Sequence, residues 1–156
     1  MENILHIFLI SCFSLTVISC AARDHEHDSI ANTTPDTTTI NFVGGTASGF
    51  VLTSVDGTNW TLRETAATNP IFDVIYANSK FVAVGFFGNI LTSSDGISWD
   101  NRTYNTSSGL YHVTYGNSTF MTVGESGTIL TSSDGITWTA RTSGTSNTLS
   151  KITYKE

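Results

Sequence analysis

The chain has 156 residues, 13% of them charged, and a formal net charge of −6. Its length fits one domain, and its seven Lys and Arg residues form no cluster that would hold a phosphate backbone, so nucleic acid is excluded as an expected partner. Abundant Thr, Ser and Gly, with 11% aromatic residues, favour an all-β fold.

The N-terminus is typical of an export signal. Residues 4–18 form an apolar run that is short for a membrane-spanning helix. It ends in Val17-Ile18-Ser19-Cys20, which resembles a bacterial lipobox. The resemblance predicts a signal peptide over residues 1–19 and a lipid on Cys20 that anchors the protein in the bacterial cell envelope, on the periplasmic or outer face of a membrane. Plain secretion and an uncleaved anchor are the alternatives, since the run is preceded by Glu2 and by no Lys or Arg.

Residues 20–39 are polar and rich in Thr, which predicts a flexible tether between the lipid and the fold. Inside this segment, His25 and His27 alternate with acidic residues, a pattern that can bind a transition metal. No third, distant ligand is evident in the sequence. We therefore expect a solvated spacer, without a metal or another cofactor.

Residues 40–156 contain an internal repeat. Trp60, Trp99 and Trp138 are 39 residues apart, and from Gly88 and from Gly127 onward 17 of 30 aligned positions are identical. A constant interval of this length is typical of repeat architectures in which each copy is one supersecondary unit. The region is therefore predicted to be three copies of one unit.

Each unit is predicted to hold four short antiparallel strands and no helix. In the last full unit these strands are Leu110–Gly116, Phe120–Val123, Thr128–Ser133 and Ile136–Thr142. A turn is expected at Asn117-Ser118, and Asp134-Gly135 predicts a two-residue hairpin turn.

The third strand of each unit carries adjacent apolar residues, Ile90-Leu91 and Ile129-Leu130, so both of its faces are expected to be covered. Blades of a β-propeller bury both faces in this way. We therefore predict a partial β-propeller of three four-stranded antiparallel blades. The first blade lacks its first strand, and residues 149–155 form a lone first strand that is able to complete it.

Residues 93–99 and 132–138 resemble the Asp-box of sialidase-type (BNR) β-propellers, and they are closer to photosystem II assembly-factor-like propellers of bacterial secreted proteins because Gly directly follows Asp. The resemblance covers residues 41–156 and implies that the box lies between the third and fourth strands. The box residues are expected to be structural, with Asp accepting backbone N–H bonds, Gly adopting a positive φ and Trp packing across the hairpin. They are Ser54, Asp56, Gly57, Trp60, Ser93, Asp95, Gly96, Trp99, Ser132, Asp134, Gly135 and Trp138.

Periodic residues are explained by the scaffold, so residues that break the period are better candidates for a binding site. Asp73, His112 and Lys151 share one position of the innermost strand, where they are predicted to face a central channel. Phe86 and Phe87 are predicted either to form an exposed contact patch or to pack between blades.

The expected function is a non-enzymatic binding or assembly module that holds an unknown protein or glycan. A sialidase-like glycan-active enzyme is the alternative, but it needs a converging arginine cluster, and Arg63, Arg102 and Arg141 are periodic. Since known propellers have four to eight blades, two chains are expected to associate as a homodimer that closes a six-bladed ring. A truncated remnant of a longer six- or seven-bladed propeller and an unusual monomer are the alternatives.

Overall fold

The structure, a computed structural model, describes residues 39–156. The signal peptide, the lipid on Cys20, the tether up to residue 38 and the pair His25 and His27 lie outside the described residues. Those four features stay predictions.

The described residues form three antiparallel sheets of three or four strands, which confirms the all-β class. The first sheet contains β1 (Phe42–Gly45), β2 (Val51–Ser54) and β3 (Thr61–Arg63). The second contains β4 (Ile71–Ala77), β5 (Lys80–Gly85), β6 (Ile90–Ser93) and β7 (Asp100–Asn101). The third contains β8 (Leu110–Gly116), β9 (Thr119–Gly124), β10 (Ile129–Ser132) and β11 (Thr139–Arg141). Single 3-10 turns, Phe86–Gly88 and Glu125–Gly127, link β5 to β6 and β9 to β10.

Within residues 39–156, neither of these short turns, nor any other helix, has the length and hydropathy to cross a membrane.

The hairpin between β8 and β9 has the predicted turn at Asn117-Ser118. Gly116 pairs with Thr119, and φ is 46° at Asn117 and 56° at Ser118. Positive φ at both central residues is the conformation that matches the twist of a two-residue hairpin. The strand β8 itself has the predicted bounds.

The connection between β10 and β11 differs from the prediction. The last paired residues are Thr131 and Thr139, so the connection is a loop over residues 132–138 and the two-residue turn at Asp134-Gly135 was wrong. The fourth strand also begins later than predicted, at Thr139 instead of Ile136. The reason is that side chains inside the loop bind its backbone N–H groups, which are then not available to the strand ladder.

The second sheet is covered on both faces. On one face, Ala83 and Leu91 pack with Val51 of the first sheet. On the other face, Ile90 packs with Phe120 of the third sheet. Ile90 and Leu91 are both fully buried, which confirms the burial expected for adjacent apolar residues in a sheet that lies between two others.

The first and third sheets, unlike the second, are not fully covered on their outer sides. Leu130 is buried, whereas its neighbour Ile129 is only half-buried.

Residues 149–154 form no strand, and the first sheet has three strands instead of four. The predicted strand 149–155 is thus not formed among the described residues, where β1 and this segment do not meet as hydrogen-bonding partners. The ring arrangement of a propeller stays a prediction.

Candidate functional site

The three box loops share one hydrogen-bond pattern. In the last loop, Ser132 Oγ donates to Asp134 Oδ1 at 2.9 Å and accepts from the backbone N–H of Gly135 at 2.8 Å. Asp134 Oδ1 also accepts from Ile136 and Thr137, each at 2.8 Å. A positive φ of 74° at Gly135 lets the chain turn inside this network without a steric clash of Cβ.

These bonds favour the ionised carboxylates. The backbone N–H groups of Thr137 and Ile136, with the hydroxyl of Ser132, lower the pKa of Asp134 to about 2. The N–H groups of Asn59 and Thr58 lower the pKa of Asp56 in the same way. The box Asp side chains are therefore anionic at neutral pH and bound to their own loops.

The box tryptophans close the loops and reach the core to different extents. Each indole N–H donates to the box glycine carbonyl, for example Trp138 Nε1 to Gly135 O at 3.1 Å. Trp138 is 7% exposed, since it packs between the second and third sheets, whereas Trp60 of the first sheet is 48% exposed. The box geometry is that of a structural element.

A β-bulge interrupts the innermost strand of two sheets. In β4 the pairing skips from Ile71 to Asp73, and in β8 it skips from Leu110 to His112. The residues left unpaired are Phe72 and Tyr111. Bulges redirect side chains and are frequent beside functional sites. Here they bring two aromatic rings from neighbouring sheets to a centroid separation of 5.2 Å.

Two further aromatic rings join this pair from the 3-10 turn after β5. Phe86 meets Phe72 edge-on at a centroid distance of 6.3 Å, and Phe87 lies 4.3 Å from Phe86. Phe72 is 44% exposed and Phe87 is 49% exposed. We call the four residues Phe72, Phe86, Phe87 and Tyr111 the aromatic patch. Phe87 is exposed, whereas Phe86 is half-buried and packs on Phe72, so the exposed patch and the packing between blades both stay predictions for this pair.

Phe87 has a left-handed backbone conformation, with φ 54° and ψ 42°. The equivalent residue of the next turn, Ser126, has φ 53°, so the turn requires this conformation but does not require an aromatic side chain. A bulky residue in this region is a steric outlier that costs about 1–2 kcal/mol. Local strain of this kind concentrates at ligand-binding sites.

Glu125 fixes one edge of the aromatic patch. Its Oε1 accepts a hydrogen bond of 2.6 Å from the Tyr111 hydroxyl, and its Oε2 accepts one of 2.9 Å from the backbone N–H of Gly109. The Gly109 and Tyr111 donors lower the pKa of Glu125, and the same hydrogen bond raises the pKa of Tyr111. At neutral pH the patch thus ends in a carboxylate held beside a neutral phenol.

Asp73 and His112 meet where β4 lies beside β8. Asp73 Oδ2 accepts from the Val113 backbone N–H at 2.9 Å and lies 3.6 Å from His112 Nε2. The other ring nitrogen of His112, Nδ1, is buried without a hydrogen-bond partner in the described chain. Lys151, the third residue predicted at this position, is exposed. A channel lined by the three residues stays a prediction.

No metal centre is formed by the part of the chain that the structure describes, since no three His, Cys, Asp or Glu side chains converge there. A cleft of about 480 Å³ lies between the loop around Tyr104 and the third sheet. Its lining is mostly short hydroxyl side chains and backbone, with Arg141 as its charged residue. The aromatic patch therefore has the stronger recognition chemistry.

Sequence reasoning named Phe86, Phe87 and Asp73, but it missed Phe72 and Tyr111 as site residues. The available signal was that this repeat position holds Phe, Tyr and then Ser150, so it breaks the period directly before Asp73 and His112. The two bulges that leave Phe72 and Tyr111 unpaired have no mark in the sequence.

No protein-family model matches the chain, and neither a curated protein nor a solved structure does.

Proposed function

We propose that the chain is a partial β-propeller of Asp-box blades, anchored in a bacterial envelope by a lipid on Cys20, that binds a glycan through the aromatic patch without catalysing a reaction. The observation that carries this proposal is the patch itself. The patch breaks the repeat period and is half-exposed. Phe87 has a strained left-handed backbone conformation, and the smaller residue Ser126 has the same conformation at the equivalent position of the next turn. An aromatic side chain is therefore not needed there for the turn itself.

The chemistry of the patch favours a glycan. A sugar ring has an apolar C–H face that packs on an aromatic ring, and its hydroxyls bind fixed polar groups at the edge of a site. Phe72 and Phe87 offer open rings, and the Glu125 carboxylate offers acceptors beside the Tyr111 hydroxyl. A protein ligand is the other outcome that the binding experiment distinguishes.

The arginines support binding rather than catalysis. Arg63 Nε donates to Thr53 Oγ1 at 3.3 Å in the first sheet, and Arg141 Nε donates to Thr131 Oγ1 at 2.8 Å in the third. Arg102 makes the same bond in the second sheet. The guanidinium groups thus belong to the outer strands of three different sheets, whereas a sialidase-like enzyme needs them in one cluster.

The propeller part of the proposal is supported by the second sheet, which is covered on both faces by two neighbours. Sheets pressed together in this way, each made of sequential antiparallel strands, are the building principle of propeller blades.

The glycan proposal is tested on an array of β-linked oligosaccharides, beside a peptide array, with the full chain in detergent. The variants are Phe72→Ala and Phe87→Ala, and the control is Leu62→Ala, an exposed apolar residue of the first sheet. We expect the unchanged chain and the control to bind at least one oligosaccharide. Each patch variant should bind it with an affinity lower by about 10-fold or more, as for loss of a buried aromatic contact.

Equal retention by all variants, or retention of peptides alone, would contradict the glycan proposal. The Phe87→Ala variant keeps the fold testable, because its ring is exposed and its removal leaves no cavity.

The anchor is tested separately by feeding an alkyne-labelled fatty acid to bacteria that express the full chain. Cys20→Ser should abolish labelling, whereas Cys12→Ser, which changes the other cysteine of the chain, should leave it intact. Labelling that survives Cys20→Ser would refute the lipid anchor.

A further inference from the structure

Within residues 39–156, the first sheet has one strand edge without a pairing strand. β1 has the repeat position of β5 and β9, which pair with the innermost strands β4 and β8. Within the described chain, β1 pairs only with β2. Its other edge therefore has backbone groups in position to receive one more antiparallel strand.

Residues 149–154 present the complementary element. They have the repeat position of β4 and β8. They contact the third sheet in the way that β4 contacts the first sheet. Leu149 N donates to Gly124 O at 2.9 Å, as Ile71 N donates to Thr46 O at 3.0 Å. A side chain on Gly116 would collide with the ring of Tyr154, so the two are in direct contact. The segment is positioned as an innermost strand, and no other strand of the described residues pairs with it.

The open face of the first sheet carries residues whose counterparts form the core. Phe42 is 48% exposed, whereas its counterpart Phe120 is fully buried. Trp60 and Trp138 differ in the same way. Phe120 and Trp138 are covered because the second sheet packs on them. The matching face of the first sheet is thus built for a neighbouring sheet of the same kind.

We propose that residues 149–155 of one copy of this chain add to β1 of a second copy and complete its first sheet, and that the reciprocal pairing joins two chains at both ends. This inference is independent of the glycan proposal. Main-chain hydrogen bonds along a free strand edge supply the affinity, and burial of Phe42 and Trp60 against the third sheet of the other copy adds to it.

The internal sheets fix the register of this pairing. Tyr76 lies opposite Phe81 and Tyr115 lies opposite Phe120, with ring centroids 4.7 Å and 4.5 Å apart. The same register places Tyr154 of one copy opposite Phe42 of the other. Phe42 is about half exposed in the single chain, whereas its paired counterparts Phe81 and Phe120 are buried, so this pairing would cover Phe42.

The experiment is disulfide crosslinking between two populations of the full chain in detergent, each in a Cys12→Ser, Cys20→Ser background. One population carries Phe42→Cys and the other Tyr154→Cys, so a mixed disulfide forms only between copies. The control replaces Phe42→Cys with Leu62→Cys, which lies on the third strand of the same sheet and is more exposed. We expect the 42–154 crosslink to form at least about 10-fold faster than the 62–154 crosslink, as for sites held together rather than meeting by chance.

Sedimentation equilibrium of the unmodified chain, corrected for bound detergent, should give the mass of two chains. A single-chain mass, or equal crosslinking at positions 42 and 62, would overturn the proposal. So would a chain carrying both Phe42→Cys and Tyr154→Cys that forms its disulfide within one copy, since the tail would then complete its own first sheet.

Discussion

Asp73 Oδ2 accepts a hydrogen bond of 2.9 Å from the backbone N–H of Val113, which joins the innermost strands of the second and third sheets. Val113 is fully buried, so water does not replace the carboxylate when it is removed. A buried N–H left without an acceptor costs about 1–3 kcal/mol.

Asp73→Ala should therefore lower the free energy of unfolding by about 1–3 kcal/mol, as measured by urea denaturation. Asp73→Asn keeps an oxygen acceptor at the same place, so its free energy of unfolding should fall by less than half the decrease seen in Asp73→Ala. Equal losses in the two variants would show that the hydrogen bond is not the stabilising contact.

Phe120 and Phe42 occupy the same repeat position in different surroundings. Phe120→Ala removes a fully buried ring between two sheets and should cost about 3–5 kcal/mol. Phe42→Ala removes a half-exposed ring and should cost less than about 1 kcal/mol under conditions where the chain is monomeric. Chemical denaturation at low protein concentration measures both. A large loss for Phe42→Ala under those conditions would mean that the first sheet is covered in the single chain.

The box carboxylates predict acid sensitivity. The pKa of Asp134 is about 2 in the folded chain against an ordinary value of 3.8. A carboxyl group whose pKa is lowered on folding stabilises the fold at pH values above its unfolded-state pKa. This stabilisation disappears as the pH falls through its folded-state pKa. The chain should lose stability between about pH 4 and about pH 2. The Asp134→Asn variant should have a lower free energy of unfolding than the unchanged chain at neutral pH. Its free energy of unfolding should also fall less than that of the unchanged chain over this acid range, as measured by urea denaturation at each pH.

The pairing of Glu125 with Tyr111 predicts a linked titration. Since the carboxylate raises the pKa of Tyr111, Glu125→Gln should lower that pKa towards its ordinary value. Absorbance of the phenolate measures the change, and Tyr111→Phe identifies its contribution among the five tyrosines of the chain. An unchanged Tyr111 titration in Glu125→Gln would contradict the hydrogen bond as the cause.

The sequence allowed prediction of those features that depend on local pattern. Leu110–Gly116 was found with its exact bounds because a glycine precedes it and a two-residue turn ends it. The burial of Ile90 and Leu91 followed from two adjacent apolar residues, which cannot both face one side of a strand.

The remaining features depend on interactions that leave little trace in composition. The loop over residues 132–138 forms because Ser132 and Asp134 bind backbone donors that a hairpin ladder would otherwise use. Phe72 reaches the surface through a bulge, which inserts one residue without altering the apolar pattern around it. Residues 149–154 match a strand in sequence, but a strand needs a hydrogen-bonding partner, and residues 39–156 place none beside them.

The box hydrogen bonds have a consequence for the order of events during folding. Each links residues only two or three positions apart, as from Asp134 to Ile136 and Thr137, so a loop can close before distant parts of the chain meet. Short-range closure is fast, and contacts between distant segments are slow because they must first overcome the entropy of a long loop. Three early hairpins, each nucleated by its own serine and aspartate, would leave the docking of finished sheets as the rate-limiting step.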